Sequence, residues 1–175
     1  MEAMIGPLRQ LAEFEEISKK LNKAKGIIEV SGCVDPQKLH MIYGLSDGFK
    51  YKIIVTFNEQ KAKEIYENYR FYDKKTELYP AKDLIFYQAD IHGNLITKQR
   101  INCLKALLQN EPVTIVTTID AFMEHIVPLE RIKKHVIKIR KGDTLDPAKF
   151  AIKLVTLGYE KVYQVEASGQ FAVRG

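Results

Sequence analysis

The stretch Gly32-Cys33-Val34-Asp35-Pro36-Gln37-Lys38-Leu39 has the outline of a phosphate-binding loop. In such a loop, spaced G-x-x-x-x-G-K-[ST], backbone N–H groups surround the phosphates, a lysine adds positive charge and a hydroxyl holds magnesium. Gly32 and Lys38 occupy the first glycine and the lysine of that spacing; Gln37 stands at the second glycine and Leu39 at the hydroxyl. Asp35 places a carboxylate where phosphate oxygens would sit, and like charges repel. Pro36 removes one N–H donor. Gln37 adds a side chain where backbone must approach closely, and Leu39 has nothing to offer a cation. The chemistry argues against a working triphosphate site and predicts no bound cofactor. It leaves two readings open: an ordinary turn in which Asp35-Pro36 starts a helix, and a phosphate loop that has decayed.

Other candidates for chemistry are sparse. His40, His92, His125 and His135 are scattered without the pairing that a metal site needs, and Cys33 and Cys103 are single and far apart. No metal site and no nucleophile is therefore expected, and two unpaired cysteines fit a reducing cytoplasm. Thr117-Thr118-Ile119-Asp120 imitates the acidic end of a nucleotide-binding strand but reads better as a helix cap from Thr118 or Asp120. Residues 131–141 carry six Lys and Arg with no aromatic residue among them. That run suits either phosphate contact or a charged face that blunts a strand edge. Phe71-Tyr72, Tyr79 and Phe86-Tyr87 offer ring faces for stacking, or simply core and rim packing.

These residues need elements to position them. Leu8, Leu11, Phe14, Ile17 and Leu21 recur at helical spacing and predict a helix over 7–24. A buried strand is expected over 27–31 and a short helix over 37–43. The apolar, β-branched run at 51–57 predicts a strand covered on both faces, followed by a helix over 59–72 capped by Asn58. Further expectations are a strand at 76–79, irregular chain over 81–93, a helix over 94–109, a strand at 113–118 and a short helix over 119–126. Beyond a turn of helix after Pro128, residues 135–140 alternate as a strand. Asp146 caps a helix over 147–157, and 159–165 and 170–173 read as hairpin strands.

Helix and strand alternate over the first 130 residues or so, which predicts an α/β fold with an open, mostly parallel sheet and flanking helices. After that a partial α+β second domain is expected. The divisions are an N-terminal helix over 1–25, an α/β domain over 26–141 and an α+β unit over 142–175. A strand that reaches the last residues leaves an unpaired edge, so the chain reads as a fragment of a longer protein. Its 175 residues carry 27 Lys and Arg against 22 Asp and Glu, a net +5 that permits an acidic partner without requiring one. No apolar run reaches the roughly 20 residues of a membrane span.

Four segments together resemble one family: SGCVDPQKLHMIYGLS (31–46), YPAKDLIFYQADIHGNLITKQRI (79–101), VTIVTTIDAFMEHIVPLERI (113–132) and YQVEASGQFAVRG (163–175). They are similar to the N-terminal region of the bacterial transcription-repair coupling factors, Mfd. The resemblance implies a degenerate P-loop fold akin to part of UvrB. The loop at Gly32, Asp35, Gln37, Lys38 and Leu39 would then be decayed and unable to hydrolyse ATP. It implies that the stretch between Tyr79 and Arg100 is too short for UvrB's damage-probing hairpin. It further implies that the unit from Gly142 resembles the UvrB domain that docks UvrA, with Arg174 at a docking position and Phe171 and Tyr163 in support. On this view the chain is a non-catalytic adaptor of a cytoplasmic bacterial DNA-repair protein. The ATP-dependent DNA translocase and the RNA-polymerase-binding domain would lie elsewhere in the full-length protein. The alternative expectation is a DNA-binding or ATP-binding fragment of a helicase-like enzyme.

Overall fold

The computed structural model describes residues 2–23, 26–82 and 90–174. These form two compact units, Met1–His125 and Ile126–Gly175.

The first unit is mixed α/β. In chain order it holds α1 (Glu2–Arg9), α2 (Ala12–Lys23), α3 (Asp35–Leu45), β1 (Tyr51–Thr56), α4 (Glu59–Tyr69), β2 (Thr76–Tyr79), α5 (Asp90–Leu108), β3 (Val113–Thr118) and α6 (Ile119–Met123). The three strands make one parallel sheet in the order β1-β3-β2, with Tyr51 opposite Val113 and Thr76 opposite Thr114. The expected parallel α/β sheet is therefore present. Its centre is β3, whose Val113, Thr114, Val116, Thr117 and Thr118 are all buried. The caps are those the sequence announces: Asn58 accepts from the Lys61 N–H at 2.7 Å, and Thr118 accepts from the Ala121 N–H at 3.2 Å.

Charge and hydroxyl groups tie the entry ends of the strands together. Asp73 accepts from Lys52 of β1 at 2.9 Å, from the Thr114 hydroxyl of β3 at 2.8 Å and from the Lys75 N–H at 2.9 Å. Burial works to raise its pKa, but these hydrogen bonds win and hold it below the usual value.

A second layer of core lies among the helices. Ile5, Leu8, Phe14, Leu39, Met41, Tyr43 and Tyr69 form one buried cluster. The predicted helix over 7–24 is in fact two, broken at Gln10-Leu11. Pro7 lies within α1 rather than in a first turn. The break lets Leu8 and Phe14 both reach Gly44 of α3, where an added Cβ would lie 2.6 Å from Leu8 Cδ1 and 2.9 Å from Phe14 Cε2.

Four further local expectations fail. The strand at 51–57 is not covered on both faces: β1 is an edge strand, and Tyr51, Ile53 and Val55 are 43–55% exposed. Residues 27–31 form no strand: Ile27 is fully exposed and Val30 is 45% exposed, so this apolar run is not recruited to the sheet. Residues 136–140 form no strand either, because α7 (Leu129–His135) takes the first residue and the rest finds no partner. The helix expected from 94 begins at Asp90, within the stretch read as irregular; residues 83–89 lie outside the described residues.

The second unit continues from α7 with α8 (Pro147–Thr156), β4 (Glu160–Lys161) and β5 (Gln170–Phe171). Asp146 caps α8 as expected, accepting from Ala148 N–H at 3.0 Å. The expected hairpin is corrected: β4 and β5 are two residues each and run parallel, with Lys161 opposite Phe171. The Gln170 Oε1 accepts from the N–H groups of Glu166 and Ala167 in the turn just before β5. Among the described residues of this unit only Phe171 is buried.

Candidate functional site

Two places carry the residues singled out by sequence. The first is the loop into α3. Gly32 has φ +83°, a left-handed conformation that suits glycine, and Val34 is extended before the helix starts. Pro36 lies in the first turn of α3, where its missing N–H costs nothing. Asp35 occupies the helix N-terminus, the end that attracts negative charge. Its carboxylate accepts from Lys38 at 3.0 Å and from Lys61 of α4 at 2.8 Å. Those hydrogen bonds, first from Lys61 and then from Lys38, hold Asp35 down to a pKa of about 2. Leu39 is buried in the helical cluster, and Gln37 is exposed.

The loop therefore has its anion built in. Both lysines that would meet a phosphate already meet Asp35. Lys61 was not visible as a participant in the sequence, because it lies 26 positions from Asp35 and only packing brings them together. The strand that should enter such a loop is absent, since 27–31 are unpaired. An ordinary turn started by Asp35-Pro36 describes this geometry; nothing in it identifies a decayed phosphate loop.

The remaining candidates disperse. His40 bonds the Met4 carbonyl oxygen through Nε2 at 2.6 Å and stacks on Tyr72. Tyr72 in turn packs against Tyr43 and Tyr69, so that aromatic group is core. Tyr79 lies under the Arg100 guanidinium at 4.2 Å, and Phe71 is 66% exposed. Phe86 and Tyr87 lie outside the described residues. Cys103 is buried, and burial pushes its thiol up to about 12, which keeps it an inert packing group. No group of three or more His, Cys, Asp or Glu is poised to hold a metal among the described residues.

The second place is the β4–β5 end of the second unit. Strand pairing, with the Val162 N–H donating to the Phe171 carbonyl at 2.9 Å, brings Tyr163 and Arg174 to one open cleft of about 560 Å³. Lys161, Val162 and Val173 complete its lining. Tyr163 is 94% exposed, whereas Phe171 is buried within β5 and does not line the cleft. Lys161 joins this cleft as the last residue of β4, two positions before Tyr163.

The comparisons bear on this second place. The family model described as the UvrB interaction domain matches residues 137–175, which contain the cleft. Residues 137–175 thus resemble a UvrB interaction domain and follow a parallel α/β unit in the chain. Similarity also extends over most of the chain to particular proteins. A transcription-repair-coupling factor of Staphylococcus epidermidis is 27% identical over 128 residues, covering 72% of this chain and 11% of that protein. The one from Bacillus subtilis is 27% identical over 124 residues (70% and 10%), and one from Staphylococcus aureus is 24% identical over 167 residues (93% and 14%). Over 70–93% of its length the chain is therefore similar to transcription-repair-coupling factors. It spans 10–14% of the length of these relatives. Among the described residues no helix is long and apolar enough to cross a membrane.

Proposed function

We propose that this chain is a non-catalytic adaptor module that docks UvrA, and that the full-length protein couples stalled transcription to excision repair. RNA polymerase and DNA would be engaged by other parts of that protein. The observation that carries the reading is the cleft of Lys161, Tyr163 and Arg174 inside the stretch that matches the UvrB interaction domain. An exposed tyrosine beside an arginine is the composition of an interface hot spot. Pull-down of purified UvrA by the 175-residue chain tests it. Arg174→Ala and Tyr163→Ala should each weaken capture about tenfold or more, as hot-spot truncations do. Capture that is equal for the parent and both variants removes the assignment.

The non-catalytic half of the proposal rests on the loop into α3, which we take to be the relic of a UvrB-like P-loop. Asp35 pairs with both Lys38 and Lys61, Glu64 holds Lys61 as well, Pro36 lacks a donor, and Leu39 is committed to the core. Titration calorimetry with Mg-ATP should give no binding heat in the micromolar range. Binding that Lys38→Ala abolishes would make the chain part of an ATP-using enzyme instead.

A further inference from the structure

The chain's net charge is not evenly spread. Residues 126–175 hold ten Lys and Arg against five Asp and Glu, whereas residues 1–125 hold seventeen of each. The whole net +5 therefore belongs to the second unit. More than half of its cations lie in one run, at Arg131, Lys133, Lys134, Lys138, Arg140 and Lys141, with no acidic residue between them. All six are exposed, and among the described residues none has a carboxylate within 4.0 Å.

Two structural uses of such charge can be weighed. Cations are favoured at a helix C-terminus, which accounts for Lys133 and Lys134 in the last turn of α7. It does not account for Lys138, Arg140 and Lys141, which lie past the helix end. Charge also protects a strand edge from pairing, but 136–140 form no strand, so there is no edge to protect. Three to four unpaired cations are left without a structural use.

We propose that residues 131–141 bind the phosphate backbone of duplex nucleic acid without regard to sequence. Protein interfaces are depleted of lysine and enriched in aromatic residues; this run has four lysines and no aromatic side chain. Lysines reaching phosphates supply non-specific affinity by releasing condensed counterions, and the lack of ring faces removes base stacking. The last turn of α7 and the residues outside any helix or strand after it can spread the charges over at most roughly 25 Å, enough to follow several phosphates. The run does not overlap the Tyr163–Arg174 cleft, so the proposal stands apart from UvrA docking.

The test is fluorescence anisotropy of the 175-residue chain with a labelled mixed-sequence duplex of about 30 base pairs, over a range of salt concentrations. Log affinity should fall linearly with log salt, with a slope of about −4.5 to −5.4 for five or six neutralised phosphates. The variant K133Q/K134Q/K138Q/K141Q should bind at least about tenfold more weakly at low salt and lose about 3.6 from the slope. An unrelated duplex should bind equally, and Arg174→Ala should bind as the parent does. Unchanged circular-dichroism melting of the quadruple variant shows that it is folded; a shift in that melt is met by testing K138Q/K141Q, which lie outside the helix. The proposal is overturned by absence of binding at about 50 mM salt, by an unchanged slope in folded variants, by dependence on Arg174, or by polyglutamate binding more tightly than the duplex.

Discussion

Asp35 holds two ammonium groups at once, Lys38 from its own helix and Lys61 from α4. The helix N-terminus adds a third attraction for its charge. Its folded pKa of about 2 lies below the ordinary 3.8, so the contribution of the ionised form is present above about pH 4 and is lost as pH falls towards 2. Asp35→Asn should therefore melt below the parent at pH 7, with the difference shrinking between pH 4 and pH 2. A difference that is constant across that window would mean the carboxylate is not what holds the lysines. The sequence revealed why this loop is unfit for phosphate, because Asp35, Pro36, Gln37 and Leu39 each oppose a stated requirement. It did not reveal that Lys61 also pairs with Asp35, since that contact depends on how α3 and α4 pack.

At the scale of elements, the parallel sheet was legible because β1 and β3 are rich in β-branched residues with helices between them, but the cover over β1 was not, since Tyr51, Ile53 and Val55 of that edge strand are 43–55% exposed. The caps at Asn58, Thr118 and Asp146 were legible because capping is local chemistry. The missing strands at 27–31 and 135–140 were not, because pairing is decided by a partner and the pattern alone cannot supply one. The break between α1 and α2 was also hidden. It is stabilised at a distance, by Leu8 and Phe14 closing on the bare Cα of Gly44. In Gly44→Ala the gain in helix propensity is about 1 kcal/mol. The forced overlap with two side chains costs about 1–3 kcal/mol, and overlap should win. Urea unfolding should show a net loss of about 1 kcal/mol. In a Leu8→Ala background, itself less stable, the added cost of Gly44→Ala should be smaller, because one of the two clash partners is gone. A Gly44→Ala variant more stable than the parent would show that the α1–α2 pair moves freely over α3.

The whole molecule divides into a unit with a core and a unit nearly without one. Residues 1–125 bury Tyr69, Val116 and Cys103 to 1% exposure or less, whereas the described part of 126–175 buries only Phe171. The pairing of β4 with β5 adds two residues a side. Local stability follows buried apolar area and protected backbone bonds, so the two units should not open together. In hydrogen exchange read by mass spectrometry, peptides over 51–56 and 113–118 should stay protected long after peptides over 126–169 have exchanged. The rates should differ by about tenfold or more. Equal protection across both units would mean that the second unit borrows stability that its own packing does not explain. Partner binding sharpens the same experiment. A docking surface on a weakly packed unit spends part of its contact energy on ordering that unit. Saturating UvrA should therefore slow exchange over 160–174 and leave 51–56 unchanged, whereas duplex nucleic acid should act over 131–141. Protection that spread equally over both stretches with either ligand would refute the assignment of two separate surfaces to one small unit.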